Sequence, residues 1–301
     1  MTYFNRRVFI KKYLKKSNMH KKLGIVLVVY KRKLEESEGY QILMKLHASH
    51  KEVFKNIDML VINNHKEYQK KNENKAYSFQ DLSSKNTLLD AYLFGVNFFS
   101  KKKINWTLFC HHDTELTLDY LKNILKILTN HKELDKVGMI VPHVTSNSKF
   151  ISPCLEKRGG IVRPLKLKSS KYLLKSVYAV GSGMVVDNNF FKTIITENVY
   201  YKIDFIDIYI CDQITKSKKY FLISNSVHNQ SLSVFNFENE MNVSRYKKII
   251  HYEYFFMKHE RPSFDFFVYK LRIIKRILMF FPNRKLFQYL PVLLKSLFRD
   301  F

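Results

Sequence analysis

Four apolar runs separated by helical patterns constrain this chain more than any other feature. They are Leu23–Tyr30 (LGIVLVVY), Ile57–Ile62 (IDMLVI), Ile104–Cys110 (INWTLFC) and Val137–Val141 (VGMIV). A strand with one wet face alternates polar and apolar residues. One that is apolar throughout is buried on both faces, as in parallel sheets covered by helices. Between these runs, residues 34–55, Thr87–Ser100 and Leu118–Thr129 carry helical spacing. Strand and helix in alternation predict an α/β domain with a mostly parallel sheet flanked by helices. Ligands of such sheets bind beyond the carboxyl ends of the strands. The polar groups at those ends are Tyr30-Lys31-Arg32, Asn63-Asn64 and His111–Glu115, and they are expected to gather along one edge; Pro142 is expected to close the fourth strand.

Beyond residue 150 the pattern changes. Ile151–Lys175 reads as an irregular, basic insertion. Val177–Val186 reads as a strand with a Gly-Ser-Gly break. Asp187 is placed to cap a helix running to about Ile195, because its carboxylate can accept from first-turn amides. Residues 203–216 set Asp204, Asp207 and Asp212 among apolar residues. Tyr220–Ser224 reads as a further strand, with His228 in a polar loop after it, and the chain from Asn242 onward reads as helices. The resulting division is a basic leader over 1–22, a main domain over 23–240 and a helical, basic C-terminal region over 241–301.

The charge is strongly one-sided: 52 Lys and Arg against 26 Asp and Glu, a formal +26 over 301 residues. Such a field attracts nucleic acid, anionic lipid or phosphorylated ligands. Eight of the cations fall within the first 22 residues, which hold no acid. Nine follow from Arg261, against Asp265 and Asp300 alone. Tyr269–Phe281 (YKLRIIKRILMFF) alternates basic and apolar positions, the pattern of a helix lying in a membrane interface, where each basic residue contributes about 1 kcal/mol near anionic lipid. A helical cap packed on the core with its cations in water would show the same pattern. No nucleic-acid motif is present, so nucleic acid is not an expected partner. Cys110, Cys154 and Cys211 lack metal-type spacing and form no disulfide framework, which fits a reducing, cytoplasmic setting. No run is long enough to span a bilayer, and the basic N-terminus lacks the apolar run of a secretory signal.

The sharpest local feature is WTLFCHHDTEL, residues 106–116. Asp113 and Glu115 at a strand end suit a hard divalent cation bridging nucleotide phosphates. Alternatively, Asp113 or Thr114 is the N-cap of the helix that follows.

The chain resembles the family 2 glycosyltransferases, and within them the rhamnosyltransferase-like branch. His111-His112-Asp113-Thr114-Glu115-Leu116 is similar to the family's Asp-Gln-Asp-Thr-Glu-Leu. Val28-Val29-Tyr30-Lys31 resembles its Val-Val-Thr-Tyr-Asn opening, and Leu60–Asn64 its Val-Val-Asp-Asn element. Leu88-Leu89-Asp90-Ala91-Tyr92 resembles its helix start, Val137–Pro142 its next strand, and Gly181-Ser182-Gly183 its acceptor-side segment. Ile203–Ile208 is similar to Phe-Ile-Asp-Phe-Val-Asp-Ile-Glu, Asn225–Ser233 places His228 at a metal-side histidine, and Arg245-Tyr246 resembles Arg-x-Tyr-Tyr. The likeness runs over roughly residues 23–255. It departs at His111 for the first Asp of Asp-x-Asp, Asn63 for the nucleoside-contacting Asp, Thr87 for a Gly, and Tyr209 for a Glu.

The resemblance implies a GT-A-type, Rossmann-like fold with a basic helical C-terminal extension. It implies an inverting single displacement from a nucleoside-diphosphate-sugar, rhamnose being the sugar of the branch, to a lipid-linked or glycan acceptor. The enzyme would then be cytoplasmic and peripheral at the inner face of an anionic membrane. Asp207 would be the catalytic base, with Asp204 as alternative base or orienting residue. Tyr30, Lys31, Asn63, Asp90, His111 and Asp113 would bind the donor, and Ser182 and Gly183 would border the acceptor. Asp113, His228, His111 and Glu115 are the candidates for a manganese or magnesium ion. Imidazole at 111 suits manganese better than magnesium. It also leaves open a bond to the diphosphate, loss of metal dependence, or a degenerate homologue acting as a scaffold. A basic α/β nucleotide- or nucleic-acid-binding protein is the remaining alternative. Without the resemblance, Asp207 also reads as a helix cap, His228 as a surface residue, and Lys31 and Arg32 as solvated charges.

Overall fold

Leu23–Val29 forms the first strand, β1, and every one of its residues is buried. The computed structural model describes residues 22–66, 74–85, 87–146, 148–166, 171–173, 176–230 and 241–298. The expected basic leader, apart from Lys22, lies outside them. A 3-10 turn leads into α1 (Glu38–Ser49), capped by Ser37, and His50 interrupts it before α2 (Lys51–Phe54). The single helix expected over 34–55 is therefore three short pieces. Strand β2 (Ile57–Asn63) follows, then β3 (Ser78–Asp81), a strand too short and too exposed to carry an apolar run. Helix α3 (Leu88–Lys101) starts at its Thr87 cap, and β4 (Trp106–His111) takes in His111. A two-residue strand, β5 (Thr114–Glu115), precedes α4 (Leu118–Asn130). Thr117 caps α4, so neither Asp113 nor Thr114 does.

Strand β6 (Val137–Ser146) continues through Pro142 instead of stopping there. Strand β13 (Tyr220–Gln230) pairs alongside β6, and its register shifts between Ile223 and Val227, opposite Val141 and His143. Pro142 falls in that irregularity, where its missing N–H breaks no ladder. The region expected to be irregular is largely ordered: β7 (Lys149–Ser152), β8 (Cys154–Glu156), β9 (Val162–Pro164) and β10 (Lys171–Leu173). The run over Val177–Val186 splits into β11 (Val177–Tyr178), in a small sheet with β8 and β9, and β12 (Val185–Asp187), in the main sheet. Asp187 caps α5 (Asn188–Ile194) by accepting from the Phe190 N–H. Helices α6 (Ile206–Lys216), α7 (Val243–His259), α8 (Ser263–Phe280) and α9 (Leu290–Phe298) complete the chain.

The main sheet runs β10-β13-β6-β12-β4-β1-β2-β3. β1 pairs parallel with β2 and β4, β2 with β3, and β6 with β13, while β12 runs antiparallel between β4 and β6. This is the α/β, mostly parallel, helix-flanked architecture expected. The strand period places Leu23, Ile25, Leu27 and Val29 in a core with α1 and α4, and Val26 and Val28 in a larger core with α3, α5 and α6. Helices α7, α8 and α9 join that second core through Tyr246, Ile250, Tyr269, Ile273 and Leu293. Burying each large apolar side chain contributes about 1.5–3 kcal/mol relative to exposure.

Strand β1 and helix α3 meet closely. A Cβ on Gly95 would stand 2.4 Å from a Val26 methyl, and one on Gly24 2.4 Å from the Phe99 ring. Alanine in a helix interior gains about 1 kcal/mol over glycine, but overpacking a dense core costs about 1–3 kcal/mol. Val26 is β-branched and fully buried, with no room to yield. Gly95→Ala is therefore expected to lower the urea-unfolding free energy; a stabilised variant would show that the helix moves away freely.

Candidate active site

The parallel strands deliver their carboxyl ends to one edge, and that edge holds the polar clusters. At the end of β4, His111 donates its backbone N–H to the Thr114 hydroxyl at 2.8 Å, closing the turn that carries His112 and Asp113. The His112 carbonyl accepts from the Ser37 hydroxyl at 3.0 Å and the Gly39 N–H at 2.9 Å, which ties this turn to the start of α1. Gly39 has to be glycine for that approach: a Cβ would sit 2.6 Å from the His111 carbonyl. Burial lowers the His112 pKa, Asp113 opposes that shift, and His111 and Arg32 add to it.

The Gly181-Ser182-Gly183 turn, between β11 and β12, packs against the same loop. The Ser182 and Thr114 hydroxyls are 2.5 Å apart. The Gly181 N–H donates to Asp207 Oδ2 at 2.9 Å. His111 Nε2 lies 2.8 Å from the Tyr92 hydroxyl, which in turn approaches the Gly181 Cα so closely that a Cβ there would be 2.5 Å from it. Asp207 and the loop bearing Asp113 are thus joined through Gly181, Ser182 and Thr114.

Asp207 sits in the first turn of α6, behind Phe205, whose backbone is left-handed (φ +73°). An aromatic residue in that region stores about 1–3 kcal/mol of strain. Burial raises the Asp207 carboxyl pKa; the Gly181 N–H, His111 and its own backbone N–H hold the shift back, and Asp204 adds to it. Its side chain bonds across to another loop, so it is more than a helix cap. Asp204 pairs with Arg245 at 3.2 Å.

The remaining expected residues are spread along this edge. Tyr30 meets the His65 ring edge-on at 5.3 Å, with the Lys31 ammonium over its own ring. Lys31 has a left-handed backbone (φ +54°). Asn63 is buried, donates to Asp81 at 3.1 Å and accepts from the His65 N–H. Asp90 completes the α3 cap with Thr87 and lies 3.6 Å from Lys85. Asp113 accepts from the Gln230 amide at 3.2 Å, and Glu115 from Asn229 at 2.9 Å.

His228 stands inside β13, only 2% exposed, rather than in a polar loop. Its ring meets Tyr120 edge-on, and its Nε2 lies where a Cβ of Gly183 would be, 2.2 Å away. Among the described residues neither ring nitrogen meets a partner in good hydrogen-bond geometry, the Ser182 backbone lying near enough only to act on the ring, and the buried Gln230 Oε1 has none either. Among the described residues, no three His, Cys, Asp or Glu side chains converge as a metal-holding group.

Tyr92, Thr114 and Gln230 were given no role in the site by the sequence, and Gly181 only a place in the acceptor-side segment. Tyr92 is fully buried on a helix, where its spacing reads only as core. The glycine pair around Ser182 was the one visible signal of close approach.

No family model matches the chain, and no curated protein matches it. Among solved structures, Staphylococcus aureus TarS (residues 1–349) superposes with a TM-score of 0.45 at 8% identity, covering 91% of this chain and 90% of that one. Its complex with UDP gives 0.44 at 9% identity, with the same shares covered. A putative nucleotide-diphospho-sugar transferase from Desulfovibrio desulfuricans G20 gives 0.35 at 7%, covering 72% and 88%. Likenesses this loose carry no functional argument, so function has to be read from the edge itself.

Burial lowers the His228 pKa to about 4, with the Ser182 backbone pulling the other way. An unfolded chain holds an ordinary imidazole near 6.5. The neutral folded form therefore adds stability that is complete above about pH 6.5 and is lost as the pH falls toward 4. About 2 kcal/mol should be gone by pH 5. In chelator, His228→Leu is expected to lose that much less stability than the parent between pH 7 and pH 5 in urea titrations; parallel profiles would refute the assignment.

Proposed function

We propose that the chain is a glycosyltransferase that moves a sugar from a nucleoside-diphosphate-sugar to an acceptor hydroxyl by single displacement. One observation carries the reading. A carboxylate with a raised pKa, Asp207, is held by the Gly181 N–H at the carboxyl edge of a mostly parallel sheet, joined by hydrogen bonds to the loop of His111 and Asp113. The sequence resemblance supports the same assignment.

In this reading the acceptor hydroxyl attacks the anomeric carbon while the bond to the diphosphate breaks. Asp207 takes the hydroxyl proton, a task that favours a carboxylate of raised basicity. The Gly181 N–H keeps the base oriented, and Tyr92 orients His111 beside it. Positive charge has to meet the departing diphosphate; Lys31 and Arg32 at the end of β1 stand on that edge. Asn63 and Asp81 shape the nucleoside end, and Ser182 and Gly183 the acceptor side. Asp204, paired with Arg245, supports Asp207 rather than replacing it.

A divalent ion fits the donor set only in a particular way. Magnesium-type ions take one or two carboxylates, waters and substrate phosphates. Asp113 supplies one carboxylate, and the His228 ring and the Gln230 oxygen, which has no partner among the described residues, lie on the strand that Asp113 faces. When bound with the donor, the ion would neutralise diphosphate charge. Glu115 and His111 are already engaged, with Asn229 and Tyr92. The acceptor we favour is lipid-linked, presented at the inner face of a membrane, and the donor panel to try begins with thymidine-diphosphate rhamnose and uridine-diphosphate hexoses.

Asp207→Asn should lower transfer by about 10²–10⁴-fold while leaving nucleotide affinity unchanged, read by product assay and thermal shift. Full activity in that variant would remove Asp207 from the role. Nucleotide binding with no transfer by the parent would mark a degenerate relative. Chelation should slow turnover and manganese restore it; indifference to chelator would exclude the ion.

A further inference from the structure

Helix α8 turns two faces in different directions. Tyr269 and Ile273 are fully buried in the core. Phe264, Phe267, Leu271, Ile274, Leu278 and Phe281 recur at intervals of three and four and are between 39% and 68% exposed. They form one stripe along the helix and the turn after it. Met279 is exposed beside the stripe, and Phe287 continues it, its ring 6.0 Å from that of Phe281. Leaving so many large apolar groups in water is uncommon without a partner.

The charges around the stripe indicate which partner. From Phe264 to Phe298 the chain has seven Lys or Arg and a single acid, Asp265, which is half-buried and accepts from the Gly159 N–H. Three of these turn inward: Arg272 and Arg276 pair with Glu253, and Lys270 donates to the carbonyls of Ser296 and Leu297. Lys275, Arg284 and Lys285 are exposed. Arg158, from the segment between β8 and β9, lays its guanidinium over the Phe264 ring at 4.9 Å.

Spacing of three and four is also that of a coiled-coil seam between two copies. A seam needs flanking charges of opposite sign, and two copies of this face would bring cations against cations. An anionic lipid surface supplies the missing sign and an apolar layer just beneath it. Among the described residues no helix is long and apolar enough to cross a bilayer.

We propose that the exposed face of α8, with the turn to Phe287, is a docking surface for an anionic lipid bilayer: the apolar stripe enters the interface and Arg158, Lys275 and Arg284 meet the headgroups. This stands independently of the transferase reading, since no substrate is needed to measure it. Flotation of the full chain with phosphatidylglycerol–phosphatidylcholine vesicles should show binding at least about tenfold stronger than with phosphatidylcholine alone, and weaker at high salt. The combined Phe267→Ser, Leu278→Ser and Phe281→Ser variant should lose at least about tenfold in vesicle affinity. The combined Arg158→Gln, Lys275→Gln and Arg284→Gln variant should lose the preference for anionic lipid. All six positions are exposed, and an unchanged melting temperature verifies each fold; if the triple serine variant unfolds, Leu278→Ser alone is read instead. Unchanged vesicle binding in the serine variants would overturn the proposal. So would light scattering that shows a parent dimer, split by the serine substitutions, with no lipid binding.

Discussion

The bond from the Gly181 N–H to the Asp207 carboxylate organises the candidate site. It is possible because residue 181 has no Cβ: the Tyr92 hydroxyl occupies the space a side chain would need. Through that contact a turn between two strands, the first turn of α6 and the buried face of α3 meet at one point. The neighbouring Ser182–Thr114 contact extends the junction to the loop after β4. The antiparallel strand β12 makes this geometry available, because its insertion between β4 and β6 brings the Gly-Ser-Gly turn back to the carboxyl edge.

Electrostatics at that point are set by opposing contributions, of which burial is the largest. Burial drives the Asp207 pKa up, and the nearby Asp204 adds to it. The Gly181 amide and the His111 ring hold that rise back. A base needs this compromise: a fully solvated carboxylate is too weak, and a fully desolvated one stays protonated. The left-handed Phe205 is the backbone strain that accompanies it, offset by the packing of its ring against Phe256.

The C-terminal helices are held to the core by more than apolar contact. Arg261 joins Glu156, Tyr178 and the buried Asp212, and Glu253 receives both Arg272 and Arg276. Breaking one partner of such buried pairs costs about 3–5 kcal/mol, because the other charge is stranded. These ion pairs fix the orientation of α8, so its inner residues stay in and its outer apolar stripe stays out.

Much of the sheet was legible in the sequence. Doubly buried strands are apolar at every position, and that pattern is local, so β1, β2, β4 and the start of β6 could be read directly. The cap at Asp187 was legible for the same reason, since a cap bonds within its own turn, whereas Thr87 was read as part of its helix and is its cap. The short strands β3 and β5 were not, because their pairing partners lie far along the chain and their few residues carry no periodicity. Pro142 misled because its effect depends on a bulge in β13, and His228 because a polar stretch around it conceals a buried strand.

What the sequence determined alone was the class of fold and the set of polar groups delivered to one edge, because burial on two faces and capping are short-range demands. What only tertiary structure decided was which of those groups meet. Tyr92 against His111, Gly181 against Asp207 and Gln230 against Asp113 are contacts between residues 19, 26 and 117 positions apart. Pairings at that range follow from how strands are ordered across the sheet, which no local pattern records.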